Sequence, residues 1–247
     1  QEIHYHRNYL RHHVLPEIEK QWPAYRKTIS RQVEHQQDTK ELLDELAQED
    51  LRKALYKDEL NLSLDVVKKL SAARQKNLIL FWLRHRQLAT PDAKHLEHII
   101  ADVIYASDDS VPCVNWGNIE FRRYRNLLYA EEREEQDKPQ CEYEWNIMNP
   151  LDIMGETLIA EPGVGSGLSR EKIEKTKIVI RYRQGGEKIS PDKQAHSKTV
   201  KQLFQEKGVL PWQREQYPLL YVGDSLALIP GLCVDKAYAA KADEPSW

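Results

Sequence analysis

Basic side chains concentrate in one stretch of this sequence, where they could bind a phosphate backbone. Between residues 170 and 207, eleven lysines and arginines stand against five aspartates and glutamates, an excess of six positive charges. Nucleic-acid binding depends on cationic surface, because each neutralised phosphate releases condensed counterions. The whole chain has a formal net charge of -3. The distribution of charge, rather than its total, therefore favours RNA as a partner.

The most specific set surrounds a helix predicted over residues 198–207. Val200, Leu203 and Phe204 form its buried stripe, and Pro211-Trp212 beyond it fixes a corner that presents Arg214. Core packing explains these apolar residues but not the nearby cations, whereas contacts along the backbone of an RNA stem would explain them. The RNA-binding residues predicted here are Arg181, Arg183, Lys198, Lys201, Gln202 and Arg214.

A second set interleaves cations with aromatic rings over residues 121–125. Guanidinium groups and rings both stack on unpaired bases, so this composition suits RNA. In a strand, Arg122 and Tyr124 face one way, whereas Phe121, Arg123 and Arg125 face the other. Only one set can meet RNA, and an ordinary amphipathic strand explains the pattern as well. Arg122 and Arg123 are the candidate contacts.

The third set is Arg7-Asn8-x-x-Arg11, near the start of a predicted helix. Arg7 and Arg11 lie one helical turn apart and could grip a phosphate as a fork. A solvated basic face explains the same spacing.

Two other patterns carry less chemistry. The histidines near the start have no carboxylate at metal-ligand spacing and predict a solvated cluster, so no metal site is expected; they are His4, His6, His12 and His13. The run Gly163-x-Gly165-x-Gly167 lacks the Gly-Lys-Ser/Thr end of a phosphate-binding loop and predicts a flexible loop between strands.

Periodicity predicts an α+β protein. Helical spacing runs from Arg7 to about Ala54, broken at Pro16 and Pro23, and resumes over 64–70 and 72–87. Thr90 and Pro91 suit the start of a further helix through about Tyr105. Short strands are expected at 60–64, 113–116, 119–123 and 127–130. Further strands are expected at 177–183, 219–222 and 226–229.

Composition limits the class of protein. The chain has 247 residues, 40% of them hydrophobic and 30% charged, which is typical of two modest folded domains. No apolar run approaches the roughly 20 residues of a membrane span. Cys113, Cys141 and Cys233 show no paired spacing, so a reducing cytoplasm is expected. The start lacks both a signal peptide and an initiator Met, which indicates a start within a longer protein.

Residues 200–221 resemble the C-terminal signature of the tRNA(Ile)-lysidine synthetase family. The features that carry the resemblance are the short helix that stops at Gly208, the Pro-Trp-x-Arg turn and the hairpin that begins at Pro218. A second pattern, Arg-Asn-x-x-Arg-x-x-x-x-Pro ending at Pro16, is similar to the one that the family has at the junction between its ATPase domain and its helical domain. Residues 147–174 and the tail from Lys236 onward match no family pattern.

The resemblance implies a mainly helical substrate-recognition domain with a small β-hairpin region, followed by a small α+β C-terminal domain. The expected limits are 1–13 for the end of the catalytic domain, 14–131 for the helical domain, 132–144 for a linker and 145–247 for the C-terminal domain. Both recognition domains would bind tRNA(Ile), the second towards its acceptor stem. Arg7, Asn8 and Arg11 would border the active site.

The catalytic domain of the family is of the PP-loop type and would precede Gln1. It binds ATP and Mg²⁺, adenylates the wobble cytidine, and admits the L-lysine that displaces AMP. Its Ser-Gly-Gly-x-Asp-Ser loop occurs nowhere in this sequence. The chain alone is therefore expected to bind tRNA without making lysidine. A non-catalytic protein-interaction module is the alternative, and whether the chain forms a homodimer stays open.

Overall fold

The computed structural model describes residues 6–57, 60–107, 110–133, 142–153, 155–174, 176–192 and 196–247. The chain divides into two compact units, Gln1–Arg133 and Glu134–Trp247. The first is rich in helices and the second in strands, which confirms the α+β class. The linker predicted over 132–144 includes residues 134–141, which lie outside the described residues.

The first unit begins with helices that bury few side chains: α1 and α2 bury none, and α3 buries only residues near its carboxyl end. In the 30-residue helix α3, the buried residues are Ala47, Asp50, Leu51 and Ala54. The helices of this unit are α1 (His6–Tyr9), α2 (Leu15–Gln21), α3 (Tyr25–Ala54), α4 (Leu64–Lys68), α5 (Ala72–His85) and α6 (Ala93–His98), with π-helical segments at Leu10–Val14 and Ile99–Ile104.

Two sequence expectations about these helices are wrong in detail. Pro16 does not break the first helical stretch: it lies in the first turn of α2, where no backbone N–H is required. The break comes at Pro23, between α2 and α3. Thr90 does not cap the later helix; Asp92 does, and its carboxylate accepts from the backbone N–H of His95 at 2.8 Å.

The first unit also contains an antiparallel sheet of four strands, in the order β1-β4-β3-β2. Its strands are β1 (Leu62–Ser63), β2 (Cys113–Trp116), β3 (Ile119–Tyr124) and β4 (Leu127–Glu132). The core lies between this sheet and helices α3, α5 and α6. Trp82 of α5 is fully buried there and meets Phe121 of β3 edge-on, with ring centroids 5.9 Å apart.

The second unit is built on an antiparallel sheet of five strands, in the order β14-β13-β12-β9-β5. Its strands are β5 (Glu142–Glu144), β9 (Ile178–Tyr182), β12 (Pro218–Val222), β13 (Ser225–Ile229) and β14 (Cys233–Val234). Side chains alternate between the two faces, so Ile178 and Ile180 enter one apolar cluster, whereas Leu219 enters another beneath helix α8 (Val200–Lys207). The predicted strands and helix of this region are confirmed.

Helix α8 has strong local end signals. Thr199 and Gln202 form a reciprocal capping box, in which the Thr199 hydroxyl accepts from the Gln202 backbone N–H at 3.2 Å. The Gln202 amide oxygen accepts in return from the Thr199 N–H at 3.1 Å. Gly208 ends the helix in the left-handed conformation, with φ of 75°.

The remaining elements of the second unit are short. They are β6 (Leu151–Ile153), β7 (Glu156–Leu158), β8 (Gly163–Val164), α7 (Arg170–Ile173), β10 (Lys188–Ile189), β11 (Lys198–Thr199), a 3₁₀ turn at Pro211–Gln213, and β15 (Pro245–Ser246). Most of them fall in the two regions where the sequence shows no recognisable pattern.

The glycine-rich run is not a free loop, contrary to the sequence expectation. Its first residue, Gly163, pairs with Ser246 in the antiparallel ladder of β8 and β15. A Cβ on Gly165 would lie 2.3 Å from the carbonyl oxygen of Ala242, and one on Gly167 would lie 2.0 Å from that of Trp247. The glycines are therefore needed for the close approach of the C-terminal segment.

Candidate nucleic-acid interface

Arg122 and Arg123 lie on opposite faces of β3, as the strand pattern predicts. Arg123 is only 2% exposed, and its guanidinium donates to the backbone oxygens of Ala106, at 3.0 Å, and Ser107. Its buried guanidinium holds the segment that follows the second π-helical stretch and cannot also contact a partner at the surface, which corrects its assignment to the RNA-binding set. Arg122 is partly exposed and pairs with Glu120 on the same strand.

Arg181 lies on the face of the five-stranded sheet that α8 covers. Its Nε donates to Glu142 Oε2 at 3.0 Å, and its guanidinium also lies 3.7 Å from Asp224. The guanidinium carbon stands 4.9 Å from the centre of the Tyr221 ring, a cation–π contact. Burial, with a smaller contribution from the Glu187 carboxylate, raises the pKa of Tyr221. The phenol therefore stays protonated beside the arginine.

Arg183 belongs to the same face but lies beside a turn. Its Nε is 3.9 Å from Glu187 Oε2, and both side chains are mostly buried. The other oxygen of Glu187 accepts from the backbone N–H groups of Gln184 and Gly185, at 2.5 and 2.7 Å. This ion pair closes the turn that links β9 to β10, so Arg183 has a structural role.

The cations around α8 differ in how much of their charge is available. The ammonium of Lys198 donates to Glu206 at 2.6 Å, across two turns of the helix. Lys201 is exposed and has no carboxylate within ion-pair distance among the residues that the structure describes. Arg214 turns back towards the helix end, where its Nε donates to the carbonyl oxygen of Val209 at 2.9 Å.

Four further predicted residues also have places in the fold. Gln202 serves the capping box through its amide oxygen. Arg7, Asn8 and Arg11 lie at the junction of α1 with the first π-helical segment, with both arginines exposed. Of the histidine cluster, His4 lies outside the described residues, and the other three are exposed.

The positive excess that the sequence shows over 170–207 is thus partly neutralised by carboxylates from outside that stretch. Arg181, Arg183 and Lys198 have carboxylate partners, and those of Arg181 come from strands or turns outside that stretch. Of the predicted residues that the structure describes, Lys201 is the exposed lysine without an ion-pair partner. At the partly exposed cations Arg181 and Lys198, a phosphate could replace the carboxylate partner, whereas at Lys201 a phosphate could bind directly.

Two aromatic residues of the second unit that the sequence analysis does not predict as site residues contact arginines at its surface. Tyr221 supports Arg181, and Trp247 carries the guanidinium of Arg170 at 4.2 Å from its ring centre. No local sequence signal connects Arg170 to Trp247, because the pair forms only when the tail folds back. Within the described ranges, no three His, Cys, Asp or Glu side chains are grouped so that they could hold a metal ion.

No helix in the described part of the chain has the length and apolar character needed to cross a membrane. Comparison with protein-family models matches residues 62–129 to the TilS substrate binding domain and residues 178–247 to the TilS substrate C-terminal domain.

Curated relatives match over nearly the whole chain. A tRNA(Ile)-lysidine synthase of Coxiella burnetii is 35% identical over 248 residues, covering 100% of this chain and 55% of that protein. One of Legionella pneumophila (strain Lens) is 32% identical and covers 100% of this chain and 56% of that protein. One of Methylococcus capsulatus is 31% identical, with 92% and 52% covered. The chain spans about half the length of the curated relatives it matches.

Proposed function

Because this chain belongs to the tRNA(Ile)-lysidine synthase family and contains its substrate-binding and C-terminal domains, we propose that it is the tRNA-recognition part of such an enzyme. The observation that carries the proposal is the pair of domain matches within a chain that aligns end to end with relatives of that name. In the whole enzyme, ATP and L-lysine would convert the wobble cytidine of the isoleucine tRNA with a CAU anticodon to lysidine.

In the part of the chain that the structure describes, neither the glycine-rich run nor the carboxylates fit ATP and Mg²⁺. Its glycine-rich run is filled by backbone of the C-terminal segment, so its N–H groups cannot cradle phosphates. The described residues offer no carboxylate cluster for a metal ion. We therefore assign both cofactors to a separate catalytic domain of the whole enzyme. In the proposal, this chain binds tRNA and does not make lysidine by itself.

The proposed contact surface centres on α8 and the neighbouring end of β9. Lys201 is its exposed charge, and Lys198 and Arg181 are half-exposed cations whose carboxylate partners a phosphate could replace. Arg183, Gln202 and Arg214 are secondary candidates at this surface because each already serves the fold. Arg122, which pairs with Glu120, is a separate candidate in the first unit. Arg7, Asn8 and Arg11 are proposed to border the active site of the whole enzyme.

The first test is a salt titration of this chain binding to unmodified tRNA(Ile) with a CAU anticodon. Elongator methionine tRNA shares that anticodon and is the competitor. If about three cations contact phosphates, the logarithm of the affinity falls with the logarithm of salt with a slope of roughly -2 to -3. We expect preference for the isoleucine tRNA, and Lys201→Glu weakens binding to both. Lys236→Glu, an exposed lysine outside this surface, is the matched control and has a smaller effect.

Each outcome of the titration has a distinct meaning. Equal, salt-sensitive binding to both tRNAs would mean a general tRNA clamp without selectivity. No binding to either would contradict the proposal and favour the protein-interaction module. Lysidine formation by this chain alone would contradict the assignment of catalysis to another domain.

The location of the protein follows from the same proposal, and its assembly needs a separate measurement. Free lysine and tRNA are cytoplasmic substrates, so we place the protein in the cytoplasm. Analytical ultracentrifugation of the chain, with and without tRNA, would decide between a monomer and a homodimer.

A further inference from the structure

The second unit contains a groove of about 690 Å³ whose wall includes the last residue of the chain. It runs between the start of the unit, helix α7 and the end of the tail. The residues that matter for its chemistry are Trp145, Asn146, Met148, Arg170, Lys177 and Trp247. None of them belongs to the surface around α8, so this groove is a separate site.

The Trp247 ring is held firmly in the groove wall. The backbone N–H and carbonyl of Trp247 exchange hydrogen bonds of 2.9 Å with Leu168. The guanidinium of Arg170 stacks 4.2 Å from the ring centre, and its Nε donates to the carbonyl oxygen of Ser246 at 3.2 Å. The ring and the guanidinium therefore form a preorganised two-layer stack. A planar ligand that enters the groove can extend this stack.

The other walls combine a fixed apolar base with an adaptable rim. Trp145 is 9% exposed, and its indole N–H donates to the carbonyl oxygen of Asn149 at 2.8 Å, so it does not move. Met148 at the rim is 68% exposed, and an unbranched thioether side chain can fold over a bound ring. The side-chain oxygen Oδ1 of Asn146 accepts from the Met148 backbone N–H at 3.1 Å. Its amide nitrogen can then donate to a ligand.

The charges in the groove decide against an ionic ligand. Lys177 is paired with Glu144, and both line the groove. Arg170 and Glu174 add one charge of each sign. The described lining residues are therefore balanced in charge, which suits neither a phosphate nor a cation. A neutral planar ring with polar edges matches the stack, the amide and the charge balance, and the volume accommodates a nucleoside but not a helical stem.

We propose that this groove binds an unpaired nucleobase of the RNA ligand, stacked against the Trp247–Arg170 pair. The proposal rests on the proposed function, because an aromatic side chain of a protein partner would satisfy the same stack. Aromatic platforms of this kind bind unpaired bases in many RNA-binding proteins. The groove would add affinity for a single-stranded segment without contributing to the grip on phosphates.

The experiment compares two ligands that differ only in their bases: the tetranucleotide of adenosine and the abasic ribose-phosphate tetramer. Both are titrated into the full chain while the six tryptophan indole N–H signals are followed by NMR. A stacked base contributes enough that we expect about tenfold tighter binding of the tetra-adenylate. The Trp247 signal should shift, and that of buried Trp82 should not. An intermolecular NOE between adenine H8 and the Trp247 ring should also appear.

Two variants complete the design. Trp247→Leu should reduce the preference for tetra-adenylate to less than about threefold, while slow exchange of the Leu168 amide shows that the tail stays docked. Trp22→Leu removes an indole that is 62% exposed in the first unit and should leave the preference unchanged. The NOE is measured in the unaltered chain, so the test does not depend on the folding of any variant.

The outcomes separate this inference from the proposed function. If tRNA binds but the two tetramers bind equally and no NOE appears, the nucleobase assignment is overturned and the RNA-binding function stands. In that case a peptide with an aromatic side chain is the ligand to test next. If the preference survives in Trp247→Leu, the bases bind elsewhere and the inference is also overturned. If tRNA fails to bind, the proposed function fails first.

Discussion

Replacement of Gly167 by alanine should undo the docking of the C-terminal segment. Gly167 has φ of +91°, and a Cβ there would lie 2.0 Å from the carbonyl oxygen of Trp247. An L-residue at such a φ costs roughly 1 kcal/mol. The clash must also displace the Trp247 carbonyl and break both hydrogen bonds to Leu168, at about 1 kcal/mol each. The expected loss in the free energy of unfolding of the second unit is therefore about 3 kcal/mol.

Gly186 provides a matched control in the same unit. Its φ is +89°, nearly that of Gly167, but a Cβ there would meet nothing within 4 Å. Gly186→Ala therefore carries the conformational strain without the clash, and both variants share the same loss of entropy in the unfolded chain. The difference between the two variants, about 2 kcal/mol, isolates the contact with Trp247.

Urea denaturation followed by tryptophan fluorescence measures this difference. With an m value of about 1.5 kcal/mol per molar urea, 2 kcal/mol separates the two midpoints by roughly 1 M. Hydrogen exchange of the Leu168 and Trp247 amides shows whether the segment detaches before the unit unfolds. Equal midpoints, together with unchanged protection of these two amides in Gly167→Ala, would refute the close-packing role of Gly167.

Three other perturbations test separate parts of the structure. Arg123→Met removes the guanidinium that donates to the carbonyl oxygens of Ala106 and Ser107, of which Ser107 keeps its hydrogen bonds from Ser110, and should destabilise the first unit by roughly 1–3 kcal/mol in urea unfolding, with tRNA affinity unchanged in the folded protein. Thr199→Ala removes the capping hydroxyl of α8 and should cost about 1 kcal/mol by the same assay, whereas Thr199→Ser retains most of the stability. Burial raises the pKa of Cys233 to about 11 from an ordinary value of 9.0. Because the folded state holds this proton more tightly than the unfolded chain does, the free energy of unfolding should fall as pH rises from about 9 to 11. Cys233→Ser should make that fall shallower.

The elements that could be predicted are those whose signals are local. Strand β9 and helix α8 follow from periodicity, and the end of α8 follows from Gly208. Local sequence does not decide between Thr90 and Asp92 as the N-cap of α6, because threonine and aspartate are both favourable at that position. The choice depends on which residues of the helix pack into the core, and that is set by the tertiary structure.

The sequence predicts which residue types form the candidate site, but it does not predict which of their side chains are exposed and free to contact a ligand. The strand pattern placed Arg122 and Arg123 on opposite faces of β3, but only the helices packed behind the sheet decide that Arg123 is the buried one. The partners of Arg181 are 39 and 43 residues away along the sequence. A count of charges in one stretch cannot include carboxylates that neighbouring strands bring beside it.

The sequence by itself determined the class of the protein, its family resemblance and most of its longer elements, because those depend on spacing within a few turns or one strand. Only the tertiary structure decided which lysines and arginines are buried or paired with carboxylates, and where the C-terminal segment docks. The pairing of residues 163–169 with residues 238–247 joins segments about 75 residues apart. Such a pairing is selected by the shape and hydrogen-bonding groups of the folded surface. Neither segment has a periodic sequence pattern from which this pairing could be predicted.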